Sequence, residues 1–172
     1  AFTEESELKL DDATKMIGCY KALTKVDLAE DLLTDPQPMR RALAFCKDIK
    51  TSKLVTNQFG NVVDSYLESE EELTGEEEKA LRCELNHVDG TYNAKHRNKL
   101  LSWLKADSDG ACRILSNARC LSEGVDVPAL DAIMFLHPRK SQIDVVQSVG
   151  RVMRRAEGKK LGYVILPVAI PA

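Results

Sequence analysis

Apolar residues along this chain keep two kinds of spacing, and the two alternate. Short apolar runs bounded by turn residues read as buried strands: residues 40–47 (RRALAFCK, after Pro36 and Pro38), 81–88, 112–118 (CRILSNA), 132–136 and 161–167. Between them apolar side chains recur every third or fourth position. Leu54, Val55, Phe59, Val62, Val63 and Tyr66 predict a helix over 51–67, and Leu100, Leu101 and Leu104 predict one over 93–105, entered through a turn at Gly90. Ile143, Val145, Val146, Val149, Val152 and Met153 predict a third, which Ser141 can cap. Strands alternating with helices in this way imply an α/β fold, a parallel sheet covered on both faces. Met16, Ile17, Tyr20 and Leu23 also keep helical spacing, so residues 1–35 are expected to form a helical linker or a sheet-edge extension ahead of the α/β domain at 36–172.

The composition fits that division. A chain of 172 residues, 44% hydrophobic and 30% charged, can bury one core and is short for two ordinary domains. No apolar run approaches membrane-spanning length. The opening AFTEESELKL has neither the basic start nor the apolar core of a signal peptide, which gives a cytoplasmic expectation. Cys19, Cys46, Cys83, Cys112 and Cys120 form no CxxC pair and read as buried free thiols; His87, His96 and His137 share no metal-ligand spacing and read as structural or surface groups, so no metal is expected.

The formal net charge of -3 argues against a nucleic-acid partner, whose phosphates call for a positive surface. Much of the acid, however, sits in ESEEELTGEEE at 68–78, expected to end one helix and form a solvated loop. That leaves Lys47, Lys53, Lys95, Arg97, Lys99 and Arg119 to build a local basic face.

The stretch QSVGRVMRR at 147–155 concentrates chemistry. On a helix Gln147, Arg151 and Arg154 lie on neighbouring turns of one surface, and Gly150 leaves room for close approach of a ligand or backbone. Arginine forks meet phosphate oxygens bidentately and can stabilise charge on a transferring phosphoryl group. Read alone, the same arginines also suit a basic helix end that complements the C-terminal dipole.

A second segment, SEGVDVPALD at 122–131, directly follows the strand-like CRILSNA, where α/β proteins put function. EGVDVP, then an apolar strand, a proline and QxxGRxxR, in that order, resembles motifs V and VI of superfamily 2 helicases, in their second RecA-like domain. The Glu-Gly start of motif V and the Gln start of motif VI are more similar to the type III restriction subunit and repair-translocase branch than to DEAD-box proteins, which usually show RGxD and HRxGRxxR. Residues 51–67 fall where motif IV is expected. Gly90 and Arg97 resemble motif IVa, although Ala94 stands where that motif usually has glutamine.

The resemblance implies a three-layer α-β-α RecA-like domain with a mainly parallel sheet, forming the C-terminal motor domain of an ATP-dependent helicase or translocase. It implies that Arg151 and Arg154 act as arginine fingers, and that Gln147, Gly150, Gly124 and Asp126 lie near the nucleotide. Asp126 would accept from ribose or anchor a finger, though it also suits an ordinary turn before Val127 and Pro128. Glu123 would pair with a motif VI arginine when no nucleotide is present. Asn117, Arg119, Gly90, Arg97 and Lys47 would meet nucleic acid, with DNA favoured over RNA.

The chain has no GxxxxGKS or GxxxxGKT loop and no strand ending in a DE-type pair. ATP with Mg2+ would therefore be shared with an N-terminal RecA-like domain absent from this chain, and the isolated domain is expected to be inactive. Two other classes stay open: a catalytically inactive interaction module that keeps the helicase fold, and a stand-alone nucleotide-binding Rossmann protein, which the lack of a GxGxxG turn disfavours.

Overall fold

The computed structural model describes residues 4–25, 37–76, 80–118, 120–121, 130–137 and 162–165. Short apolar runs become strands of a parallel sheet, buried on both faces in the middle of the sheet and half-buried where CELNHV forms an edge. Those strands are β1 (Arg41–Phe45), β2 (Cys83–Val88), β3 (Cys112–Asn117), β4 (Ala132–Phe135) and β5 (Tyr163–Ile165). They form one sheet in the order β2-β3-β1-β4-β5, with every neighbouring pair parallel. The described helices are α1 (Glu4–Thr24), α2 (Ile49–Thr74) and α3 (Ala94–Lys105).

Side chains alternate across the pleat, and the two sets meet different partners. Ala42, Ala44, Ile114 and Met134 pack with Met16, Cys19, Tyr20 and Leu23 of α1 and with Val55, Phe59 and Val63 of α2. Leu43, Phe45, Leu115, Ile133 and Phe135 point the other way, towards Leu104 of α3 and towards Leu121 and Leu130. The chain therefore forms a three-layer α-β-α RecA-like domain, the fold class expected. Topology explains the placement of the helices. The step from β1 to β2 runs one way along the sheet and the step from β2 to β3 runs back, so two crossovers of the same hand put α2 and α3 on opposite faces.

Local chemistry sets the helix limits. Asp48 caps α2 by accepting from the Thr51 amide at 2.7 Å, and Gly75, in the left-handed region at φ 72°, ends it by donating its N–H to the Glu71 carbonyl. Asn93 caps α3, and the Arg41 guanidinium reaches the carbonyls of Leu104, Lys105 and Ala106 at its other end, at 2.9 to 3.1 Å. Most of the acidic run at 68–78 is thus the exposed last part of α2, with the helix ending at Thr74 instead of near Leu67. At the start of the chain, α1 lays its apolar stripe into the core on the α2 face, and Asp12 meets His137 beyond β4 (Oδ1 to Nε2, 3.1 Å). Of the cysteines, Cys19, Cys46 and Cys112 are buried and Cys83 and Cys120 half-buried, all as free thiols.

Candidate functional site

Parallel strands bring all their carboxyl ends to one edge, and in α/β folds that edge is where ligands bind. Here it gathers Lys47 beyond β1, the N-terminus of α2, Asp89 and Gly90 beyond β2, Asn117 at the end of β3, and His137 beyond β4.

Asn117 is fully buried and its side chain is engaged within the fold. Its Nδ2 donates to the Ala44 carbonyl at 2.9 Å and its Oδ1 accepts from the Leu121 amide at 3.4 Å, so it holds the end of β3 to β1 and shapes the turn that follows. Lys47 is half-buried, whereas Gly90 and Arg97 are exposed. A methyl group built on Gly90 would meet nothing within 4 Å, so no packing inside the described protein requires a glycine there. Arg97 lies close enough to Cys120 for its charge to counteract the burial that pushes that thiol up, and the Cys120 Sγ reaches the Val88 carbonyl at 3.6 Å. The start of α3, the end of β2 and the turn after β3 therefore adjoin. Arg119, Glu123, Gly124, Asp126, Gln147, Gly150, Arg151 and Arg154 lie outside the described residues.

Behind this edge runs a buried polar row that sequence reasoning missed. Asp89 accepts from the Thr91 amide at 2.8 Å and from the Thr91 hydroxyl at 2.5 Å on Oδ1, and pairs with His87 Nε2 at 2.6 Å on Oδ2. Burial opposes its ionisation, but the hydrogen bonds from Thr91 and His87 outweigh it and take the carboxyl down to about 2. An ionised carboxylate only accepts, so Nε2 carries the proton. In a neutral ring Nδ1 then accepts from the Ser52 hydroxyl, 2.6 Å away, and Ser52 in turn accepts from Ser116 at 2.7 Å. Cys46 Sγ lies 3.5 Å from Ser116 Oγ and completes the row. The sequence of serine, histidine and aspartate resembles that of a hydrolase, yet Ser52 and Ser116 are wholly buried, so no substrate can reach the hydroxyl. The row instead fastens α2, β2 and β3 together beneath the 89–92 turn. Asp-Gly-Thr after a strand is an Asx-turn signal, and it was the available clue.

Charge follows the same geometry. The first turns of α2 and α3 carry no acid, and Lys47, Lys50, Lys53, Lys95, Arg97 and Lys99 cluster around them. Cations there oppose the helix dipole at a cost of a few tenths of a kcal/mol or more apiece, which the Asp48 carboxylate offsets at α2 and an external anion would offset at α3. The glutamates of 68–76 sit at the far end of α2, which spans roughly 39 Å at 1.5 Å per residue. The largest block of acid therefore lies away from the basic edge, where the carboxylates of Asp48 and Asp89 are engaged in a helix cap and a turn. At His137 burial lowers the pKa, with Lys15 and Lys47 adding to the effect and Asp12 opposing it. Among the described residues no group of three His, Cys, Asp or Glu side chains could hold a metal ion, and no helix is long and apolar enough to cross a membrane.

Comparison with known proteins agrees with this architecture. The model of the helicase conserved C-terminal domain matches residues 24–156. A protein of African swine fever virus named as a helicase is 39% identical over 57 residues, which are 33% of this chain and 7% of that protein. A helicase-named protein of Sulfolobus islandicus filamentous virus is 36% identical over 53 residues, 31% of this chain and 10% of that one. The matched segments thus span a tenth or less of those relatives. Among solved structures, the ATP-dependent type ISP restriction-modification enzyme LlaBIII bound to DNA superposes with a TM-score of 0.74 at 36% identity, over 94% of this chain and 10% of that one. Domain 2 of a DEAD-box helicase bound to an RNA duplex (TM-score 0.53, 17% identity, 91% of this chain and 50% of that one) shares the fold.

Proposed function

Because the chain belongs to the helicase conserved C-terminal domain family, within superfamily 2, we propose that it is the second motor domain of an ATP-dependent DNA helicase or translocase. One observation carries the reading: α2 and α3, whose first two turns hold Lys50, Lys53, Lys95, Arg97 and Lys99, begin at the same carboxyl edge of the sheet at which β3 ends, and from there the chain enters the motif V segment. In this reading Lys47, Gly90, Arg97 and Arg119 line a track for the nucleic-acid backbone. Asn117 serves that track by holding the turn after β3.

In the sequence motif VI falls between β4 and β5, which pair in parallel, and its apolar spacing predicts a helix. Arg151 and Arg154 would hold the γ-phosphate of ATP across a cleft whose other wall is a first RecA-like domain carrying the phosphate loop and the Mg2+ ligands. Gln147, Gly150, Gly124, Asp126 and Glu123 complete this chain's side of the cleft. While the γ-phosphate is attached the two arginines keep the cleft closed; once it is cleaved they lose that partner and the domains part. Residues of the track then move with the domain, and bound DNA advances by a step. The preference for DNA rests on the likeness to the DNA-bound restriction enzyme.

The test is ATP hydrolysis by the full-length protein with single-stranded DNA, duplex DNA and RNA. Stimulation by DNA is the expected result. Stimulation by RNA alone would reassign the substrate, and a parent reading frame with no phosphate-loop domain would end the motor reading.

A further inference from the structure

The basic edge contains a pair of rings that the track does not use. Tyr92, in the turn before α3, and His96, in its first turn, lie face to face with centroids 4.4 Å apart and planes 5° from parallel. Tyr92 is half-buried and meets the buried His87 ring nearly at right angles, with centroids 5.8 Å apart. His96 is exposed, so the outer ring of the stack faces solvent. Its backbone is fixed as well: the His96 amide donates to the Asn93 cap at 2.8 Å, and the turn is fastened from below by Asp89.

Lys95, Arg97 and Lys99 are exposed beside the stack, and residues 93–101 include no carboxylate. An open planar ring flanked by cations on a rigid turn suits an unpaired nucleotide, whose base offers a flat face and whose phosphates offer charge. A duplex keeps its base faces inside its own stack and cannot use such a ring.

We propose that Tyr92 and His96 form a stacking platform for an unpaired nucleobase, with Arg97 and its neighbouring lysines holding the flanking phosphates. The platform rests on the nucleic-acid reading given above and adds to it a contact to the base. Stacking is indifferent to the sugar, so single-stranded DNA and RNA are both expected to engage it.

The experiment compares the affinity of the chain for three oligomers of about twelve nucleotides, of the order of the sites that single-strand-binding folds cover. They are single-stranded DNA, single-stranded RNA and an abasic deoxyribose-phosphate strand. Wild type is expected to bind the base-bearing strands roughly fivefold to a hundredfold more tightly than the abasic one, the range for one stacked base. His96→Ala should remove that preference and leave abasic binding unchanged, His96→Phe should restore it, and Arg97→Ala should weaken all three. Equal wild-type affinity for base-bearing and abasic strands, or a His96→Phe variant as weak as His96→Ala, overturns the platform while leaving the backbone track standing. Failure of the wild-type chain to bind any of the three overturns the track and the platform together. His96 is exposed, and an unchanged urea midpoint for its variants assigns their effects to binding.

Discussion

Replacing Asp89 with asparagine tests whether the buried row holds the edge together. The substitution keeps an oxygen for the Thr91 amide but turns an N–H towards the His87 Nε2–H, so two donors face each other unless the ring changes tautomer and disturbs Ser52. The magnitude follows from the carboxyl itself, which ionises in the fold at about 2 against an ordinary 3.8, a difference of about 2 kcal/mol at neutral pH. The loss of a buried hydrogen bond to a charged group, about 1.5–3 kcal/mol, gives the same size. For a chain of this length that is a fall in Tm of roughly 4–8 °C.

The sign of the pH dependence is equally defined. A carboxyl depressed in the fold contributes fully above its unfolded value of 3.8 and loses that contribution as pH falls towards about 2. Urea unfolding of wild type and Asp89→Asn should therefore show a gap of about 2 kcal/mol at pH 7 that narrows below about pH 4. A gap under about 0.5 kcal/mol at pH 7, within the range of ordinary surface substitutions, would refute the role given to this residue.

Three other outcomes follow from the edge. Gly90→Ala, at a position with open space around it, should leave the urea midpoint unchanged and weaken DNA binding, because only an approaching ligand would meet the methyl group; anisotropy titration beside an unfolding curve checks both. Arg97→Ala should lower the slope of log affinity against log salt for single-stranded DNA by about 0.7, as one phosphate contact is lost; an unchanged slope would take Arg97 off the track. His137, lowered by burial, stays neutral in the fold at pH values where the unfolded chain protonates, so stability should decline as pH falls through about 6.5, and His137→Gln should flatten that decline in unfolding curves taken between about pH 8 and 5.

The inner strands were legible because they are apolar on both faces: ALAF in β1 and RIL in β3 admit only burial within a parallel sheet. Their spatial order was not, since nothing in the residues of β2 or β3 says that β3 inserts between β2 and β1. The end of α2 was misplaced because apolar spacing stops at Tyr66 and Leu67, whereas glutamate propagates an exposed helix well and the stop signal is Gly75. The site was half legible. Arg97 and Gly90 stand out as exposed groups on a turn and a helix, but the role of Asn117 depends on a carbonyl 73 residues away. His87 and Ser52, 35 residues apart, are likewise joined only by the crossover between β1 and β2.

The most direct test of the account is ATP hydrolysis by the full-length protein and its Arg151→Ala variant, measured with and without single-stranded DNA, with nucleotide binding followed in parallel. The account predicts DNA-stimulated turnover in the wild type, a fall of roughly 10³-fold or more in the variant with ATP binding nearly intact, and no hydrolysis by this domain alone. Unchanged DNA-stimulated turnover in the variant, or hydrolysis by a pure preparation of the domain, would contradict it.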